Sequence, residues 1–346
     1  GNWDMTGGTF TNTNSTVIFD GTVAQAISGT DTWYNLTINN TASPEDSNDF
    51  DLDTVQTVSG TLTVTDGQWT PHTGDDYANV TIGISGIIKP DTPVSITVSG
   101  NWYNFGTFIC GTGVVNFTAT STGKTIDAGD DPFYDLTFSG SGGGWESLYP
   151  ITVSRNLTIS AGTLSGTGNV TVNGGNVTGN GMINMTGGTF LVDGEGDFGG
   201  AGADWTFHNL IFGDGTVATT TTKYGNNDIT ISDRLTVSEN QTLLAGDHTW
   251  SFNWTGGTEY ITGIRQIAGG YEHTVALTAE GTVWAWGYND YGELGIGTAD
   301  WNSHRFPVQV KDQAGTGFLS GIIAIAASDE HTVALTAEGT VWAWGY

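Results

Sequence analysis

Short stretches in which apolar and polar residues alternate recur along most of the chain: NLTI at 35–38, TLTV at 61–64, NVTI at 79–82, SITV at 95–98, VVNF at 114–117, DLTF at 135–138, NLTI at 156–159, NVTV at 169–172, GTFL at 188–191, NLIF at 209–212 and RLTV at 234–237. Alternation at period two sends Leu36 and Ile38 to one face and Thr37 to the other, the pattern of a strand with one dry face. The starts of these stretches lie 13 to 26 residues apart, with Gly and Asn turns between them. One strand per coil of that length fits the rungs of a parallel β-solenoid. A series of β-sandwiches also gives alternating strands with turns; the solenoid is the preferred expectation, and the functional class is the same for both.

A longer repeat lies over the short one. GNW, GGTF, TVIF and TWYNLTI in residues 1–38 return as GNW, FGTF, VVNF and PFYDLTF in 100–138, and MTGGTF at 5–10 recurs at 185–190. Gly1 thus enters in the middle of a repeat, so the chain is expected to be a fragment of a larger protein. From about residue 262 the texture changes: HTVALTAEGTVWAWGY at 273–288 is repeated unchanged at 331–346, with NDYGELGIGT (289–298) and PVQV (307–310) between the copies. Val275 and Leu277 alternate with Ala276 and Thr278, and Glu280-Gly281 turns into Thr282–Trp286, which predicts a hairpin with one buried face.

These last segments resemble the regulator of chromosome condensation repeat family. The runs His-Thr-Val-Ala-Leu, Glu-Gly-Thr-Val-Trp-Ala-Trp-Gly and Tyr-Gly-Glu-Leu-Gly occur in that family's order. The resemblance implies four-stranded propeller blades. The family's namesake exchanges nucleotide on a small GTPase and binds chromatin, but the matching residues are those of the blade scaffold and not of an exchange loop. The expected fold is therefore all-β, a parallel β-solenoid (β-helix) stalk over 1–261 followed by the first blades of an incomplete β-propeller over 262–346.

Composition agrees with strands: Thr, Val, Gly and Asn abound, and β-branched side chains lose rotamer freedom in a helix. With 36 acidic against 8 basic residues and a net charge of −28, the chain repels phosphates, so nucleic acid is not an expected partner. No apolar stretch approaches the length of a spanning helix, so no membrane insertion is expected in this segment. The single Cys110 rules out an internal disulfide.

Candidate chemistry is sparse. GGAGAD (199–204) agrees with the start of a calcium-binding nonapeptide, and DGEGD (193–197) precedes it. Asp193, Glu195, Asp197 and Asp204 are therefore the candidate ligands for calcium, the one cofactor considered. The acidic run at 44–53 and the Asp75-Asp76 and Asp130-Asp131 pairs read as solvated loops or further carboxylate clusters. His273 and His331 hold the same repeat position, as a metal or acid-base pair or, preferably, as blade-fixing hydrogen bonders. Trp33-Tyr34, Trp102-Tyr103 and Phe133-Tyr134 could stack on sugars or fill the core. No catalytic residue is assigned: Lys89, Lys124, Arg155, Lys223 and Arg234 sit in no motif with acids. The expectation is a non-enzymatic, secreted or cell-surface microbial repeat protein, an acidic adhesin whose propeller binds a protein or glycan. The alternative is a polysaccharide-binding or polysaccharide-degrading β-helix enzyme with an accessory propeller.

Overall fold

The computed structural model describes residues 3–4, 10, 12–23, 25–41, 55–90, 93–214, 216, 219–238, 241–244, 250–252, 261 and 263–346, with only the backbone considered at 250–252. The acidic run at 44–53, the first MTGGT at 5–9 and the junction between stalk and blades near 261–262 lie wholly or partly outside the described residues. Regular structure among the described residues is entirely β. The chain divides into two compact units, 1–171 and 172–346.

In the first unit the alternating stretches stack as parallel strands in register. Val17 pairs with Leu36, Leu36 with Leu62, Leu62 with Val80 and Val80 with Trp102. A second column runs Ile96, Val115, Leu136, Leu157. Each of these residues from Leu36 onward is buried, whereas Thr37, Thr63 and Thr137 between them are half-buried. Period-two alternation in sequence thus becomes a continuous dry interior, to which each buried aliphatic side chain contributes about 1.5–3 kcal/mol.

The coil turns at corners, and the sequence marks them. Within the strand Thr57–Trp69 the pairing to Asp76–Ile88 shifts register between Val58 and Thr61 and again between Val64 and Asp66. At the first of these corners stands Gly60, and Gly100 takes the equivalent place: an added Cβ would lie 2.5 Å from the carbonyl oxygens of Tyr34 and Ala78, respectively. An Asn or Asp at or just before the start of several strands accepts a bond from a backbone N–H of the next rung. Asn35 Oδ1 accepts from Thr61 N at 2.9 Å, Asn79 from Asn101 N at 3.0 Å, Asn101 from Thr125 N at 2.9 Å and Asp135 from Asn156 N at 3.0 Å. These side chains satisfy corner amides that the strand ladder leaves unpaired.

The second unit begins in the same way. Phe190 pairs with Leu210 and Leu210 with Leu235, while Val192, Phe212 and Val237 form the neighbouring column. Pairing then changes sense. Gln241–Leu244 is parallel to Thr219–Tyr224 but antiparallel to Ile264–Gly269, with Leu243 opposite Ile267. From there the chain is antiparallel: Ile264–Gly269, His273–Thr278, Val283–Asn289 and Asp300–Gln309 form one blade, and Ile322–Ala327, His331–Thr336 and Val341–Gly345 form the described strands of a second. The expected all-β solenoid followed by propeller blades is thus the architecture present, and the change from one to the other lies inside the second unit. Val275, Leu277, Val283 and Ala285 of the first blade share a core with Ile322, Ile325 and Ala334 of the second.

Candidate functional site

The Glu280-Gly281 turn closes the first hairpin: Gly281 adopts φ +79° and donates its N–H to the Thr278 carbonyl at 3.0 Å. The identical second copy does the same through Gly339, φ +84°. These turns set the strands that carry the polar links between the blades. Gln266 caps the edge of the second blade with two bonds, accepting from Ile325 N at 3.0 Å and donating to the Ile325 carbonyl at 2.7 Å. Trp344 Nε1 donates to the Glu293 carbonyl at 2.8 Å. Replacing Gln266 by Ala is expected to cost about 1–3 kcal/mol at this contact, read as faster hydrogen exchange at Ile325; unchanged exchange there would refute the link.

His273 is buried, 4% exposed, with Nε2 2.9 Å from Thr332 Oγ1. Because Thr332 Oγ1 donates to the Glu293 carbonyl at 3.3 Å, the imidazole is assigned as the donor through Nε2–H. Burial, with a smaller contribution from His331, lowers its pKa to about 4. His273 is thus a neutral link between blades, while its repeat partner His331 is exposed.

Beside the first blade lies a groove of about 710 Å³ whose walls come from the solenoid strand Ile229–Val237 and from blade residues at 270–274, 286–288 and 303–306. Arg234 and Arg305 line it together with Tyr271, Tyr288 and Phe306. His304 is held by Asp300, whose oxygens lie 3.0 and 3.1 Å from Nε2, and this bond holds the Asp300 carboxyl below its ordinary range. None of these groove residues was assigned as a site residue from sequence. The available signal was the scarcity of arginine, present only at 155, 234, 265 and 305.

The four carboxylates singled out for calcium do not converge. Asp193 Oδ1 accepts from Asp214 N at 3.0 Å and Asp204 Oδ1 from Asp228 N at 2.9 Å, the corner role seen in the first unit. Glu195 is exposed, and the Asp197 N–H donates to Asn176 Oδ1 at 2.8 Å. Among the described residues no group of three or more His, Cys, Asp or Glu side chains could hold a metal ion. Near Asp204, Lys223 is 5% exposed and donates to the Tyr224 carbonyl at 2.9 Å and to Asn227 Oδ1 at 2.8 Å, with burial lowering its pKa to about 8. Arg155 pairs with Asp135 and lies 5.0 Å from the Tyr134 ring centroid. Two of the five cations considered for catalysis, Lys223 and Arg155, thus have structural partners. Trp33, Trp102 and Phe133 are fully buried, which takes them away from sugar stacking and leaves a glycan ligand without support.

The family model for the regulator of chromosome condensation (RCC1) repeat matches residues 280–335, and a second model of the same description matches 264–293. The blade segment is therefore made of RCC1 repeats. Protein RCC1 of Candida albicans is 36% identical over 89 residues, which are 24% of this chain and 19% of that protein. The ultraviolet-B receptor UVR8 of Arabidopsis thaliana is 38% identical over 85 residues, 24% of this chain and 17% of the receptor. The crystal structure of Prp20p from Saccharomyces cerevisiae, described with its binding to Gsp1p and histones, matches at 25% identity with a TM-score of 0.21, over 25% of this chain and 19% of that one. The chain thus spans less than a fifth of each of these relatives. The sequence relatives, protein RCC1 and UVR8, are intracellular, nuclear or cytosolic, proteins and overturn the expected extracellular or cell-surface location. The physical reason is that the features behind that expectation, high acidity and a single cysteine, fit a reducing interior equally well. No helix among the described residues is long and apolar enough to cross a membrane.

Proposed function

We propose that this chain is a non-enzymatic repeat scaffold that binds a protein partner through its blade segment, the solenoid serving to carry and space that segment. The observation behind this reading is where aromatic side chains meet solvent. In the solenoid Trp33, Trp69, Trp102, Trp145 and Trp205 are wholly buried, and among the described residues the exposed large aromatics are Phe105, Tyr149 and Tyr224. In the much shorter blade segment Tyr271, Tyr288, Tyr291, Trp301, Phe306 and Phe318 are all exposed, Trp301 to 81%. Aromatic residues and arginine are enriched at protein–protein interfaces and dominate their binding energy. A regulatory or protein-interaction role is also the common denominator of the repeat-bearing relatives.

The test is site-specific photo-crosslinking of the full chain in a cell extract, with benzoylphenylalanine placed at Trp301 or Tyr291 and, for comparison, at Phe105 or Tyr224. Discrete protein adducts are expected from the blade positions and few from the solenoid positions. Adducts distributed equally, or formed only along the solenoid, would refute the assignment of binding to the blades.

A further inference from the structure

We infer that Lys223 and Asn227 are the two halves of a self-forming covalent staple: Nζ of Lys223 attacks Cγ of Asn227, ammonia leaves, and an amide bond joins the two side chains. This chemistry is independent of any bound partner, because the chain modifies itself with its own residues.

Lys223 lies in the strand Thr219–Tyr224 opposite Phe198 of Gly196–Gly199. Period-two alternation therefore turns its side chain inward with that fully buried ring. An inward lysine is unusual, because its ammonium loses its water. Gly199 makes room for it: an added Cβ there would lie 2.7 Å from Nζ. The chain then folds back at Gly225, φ +69°, where an added Cβ would meet the Gly200 carbonyl oxygen at 2.0 Å. This turn brings Asn227, 2% exposed, back to the amine. Nζ stands 2.8 Å from Asn227 Oδ1 and 2.9 Å from the Tyr224 carbonyl oxygen.

The Gly200 N–H also donates to Asn227 Oδ1, at 2.8 Å. Two donors converge on one atom, which assigns that atom as the oxygen and places Cγ one bond beyond it. The Gly200 N–H polarises this carbonyl and is in place to hold the negative oxygen of a tetrahedral intermediate. To attack, Nζ must be a neutral amine, and burial favours this form by lowering its pKa to about 8. The carboxylates of Asp228 and Asp204 act in the opposite sense and are outweighed. Asp197, on the neighbouring strand, stands opposite Thr222 and hence on the other face. The strand on the other side, Gln241–Leu244, carries no charge. Addition forms the Nζ–Cγ bond; one amine proton then passes to Nδ2, the Cγ–Nδ2 bond breaks and ammonia departs. No oxidant or outside group is consumed. Because the fold holds both partners in contact, a sluggish encounter of amine with amide becomes a reaction within one molecule.

The experiment follows the intact mass of the full chain at pH 6 and pH 9. A product lighter by one ammonia is expected, the loss mapping to Lys223 and Asn227. It should form about tenfold faster or more at pH 9, because the free-amine fraction rises through pH 8. Chymotrypsin cleaves after Tyr224, between the two partners, and the fragments of the product are expected to stay joined under reducing and denaturing conditions. Lys223→Arg and Asn227→Ala are expected to keep full mass and to come apart at Tyr224. The staple is refuted by full mass after prolonged incubation at pH 9, by fragments that separate, or by an equal rate of loss in urea, where the fold no longer holds the pair. It is also refuted if Lys223→Arg still loses ammonia at Asn227, since the backbone nitrogen of Asp228 would then be the nucleophile and the product a succinimide. The time course and the urea comparison use the unaltered chain, so they are decisive even where a variant fails to fold.

Discussion

Acidification from pH 7 to pH 4 is expected to loosen the two blades from each other by roughly 3 kcal/mol through His273. In the folded chain its pKa is lowered to about 4, chiefly by burial, against about 6.5 for a free imidazole. Between these values the unfolded chain takes up a proton that the folded chain refuses, so the stabilisation is complete above about pH 6.5, is lost as the pH falls and is gone once the folded pKa is reached. Each pKa unit corresponds to about 1.4 kcal/mol, which gives the magnitude. Protonation costs this much because the imidazolium would sit in a nearly closed site whose polar neighbour, Thr332, already donates to Glu293. Buried Asp75 works in the opposite sense: burial raises its carboxyl, so its contribution improves as the pH falls. A local measurement separates the two. Hydrogen exchange in His331–Thr336, corrected for its intrinsic pH dependence, should accelerate in the native chain and lose most of that acceleration in His273→Gln, whose amide keeps a donor for Thr332 and does not titrate. An equally steep dependence in the variant would place the acid sensitivity elsewhere.

Trp102→Ala is expected to be the most damaging single change in the first unit, at about 3–5 kcal/mol. The indole is fully buried in the column between Val80 and Ile126 and packs at 4.9 Å on Phe108, 5.5 Å on Phe133 and 6.3 Å on Phe117. A cavity there faces aromatic rings that cannot all move inward. A second comparison isolates the polar part. Trp102 Nε1 has no hydrogen-bond partner, whereas Trp33 Nε1 donates to Gln56 Oε1 at 2.9 Å. Trp33→Phe leaves a buried amide oxygen short of its donor, and Trp102→Phe removes an unsatisfied one, so Trp33→Phe should cost about 1–2 kcal/mol more. Urea midpoints of the full chain, monitored in the first unit, measure both; a reversed order of the phenylalanine variants would contradict the hydrogen-bond assignment.

Much of the molecule was legible along the chain because its interactions repeat. The stretches NLTI, TLTV, NVTI and DLTF spell strands directly, since each buries one face against a copy of itself one rung away. What the opening Asn or Asp does was not legible. Asn35, Asn79 and Asp135 were read only as the polar ends of these stretches, and their bonds to the next rung require knowing where the coil turns. The same gap explains Asp193 and Asp204: a glycine-rich acidic string suggests calcium, but corner geometry spends those oxygens on backbone amides. The groove was invisible for a different reason. Arg234 and Arg305 are 71 residues apart, and they meet one hollow only because Gln241–Leu244 pairs antiparallel with Ile264–Gly269.

The duplicated HTVALTAEGTVWAWGY separates the two levels within one chain. Sequence alone determined the hairpin, its turn at Gly281 or Gly339 and its pairing, which are the same in both copies because they depend on residues within the copy. Burial differs between them: His273–Thr278 is buried throughout, whereas in His331–Thr336 the first residue is exposed and alternate positions are half-buried. Only the tertiary structure decided that, because solvent exposure, and with it the pKa of His273, is set by neighbours such as Thr332 that belong to another part of the chain.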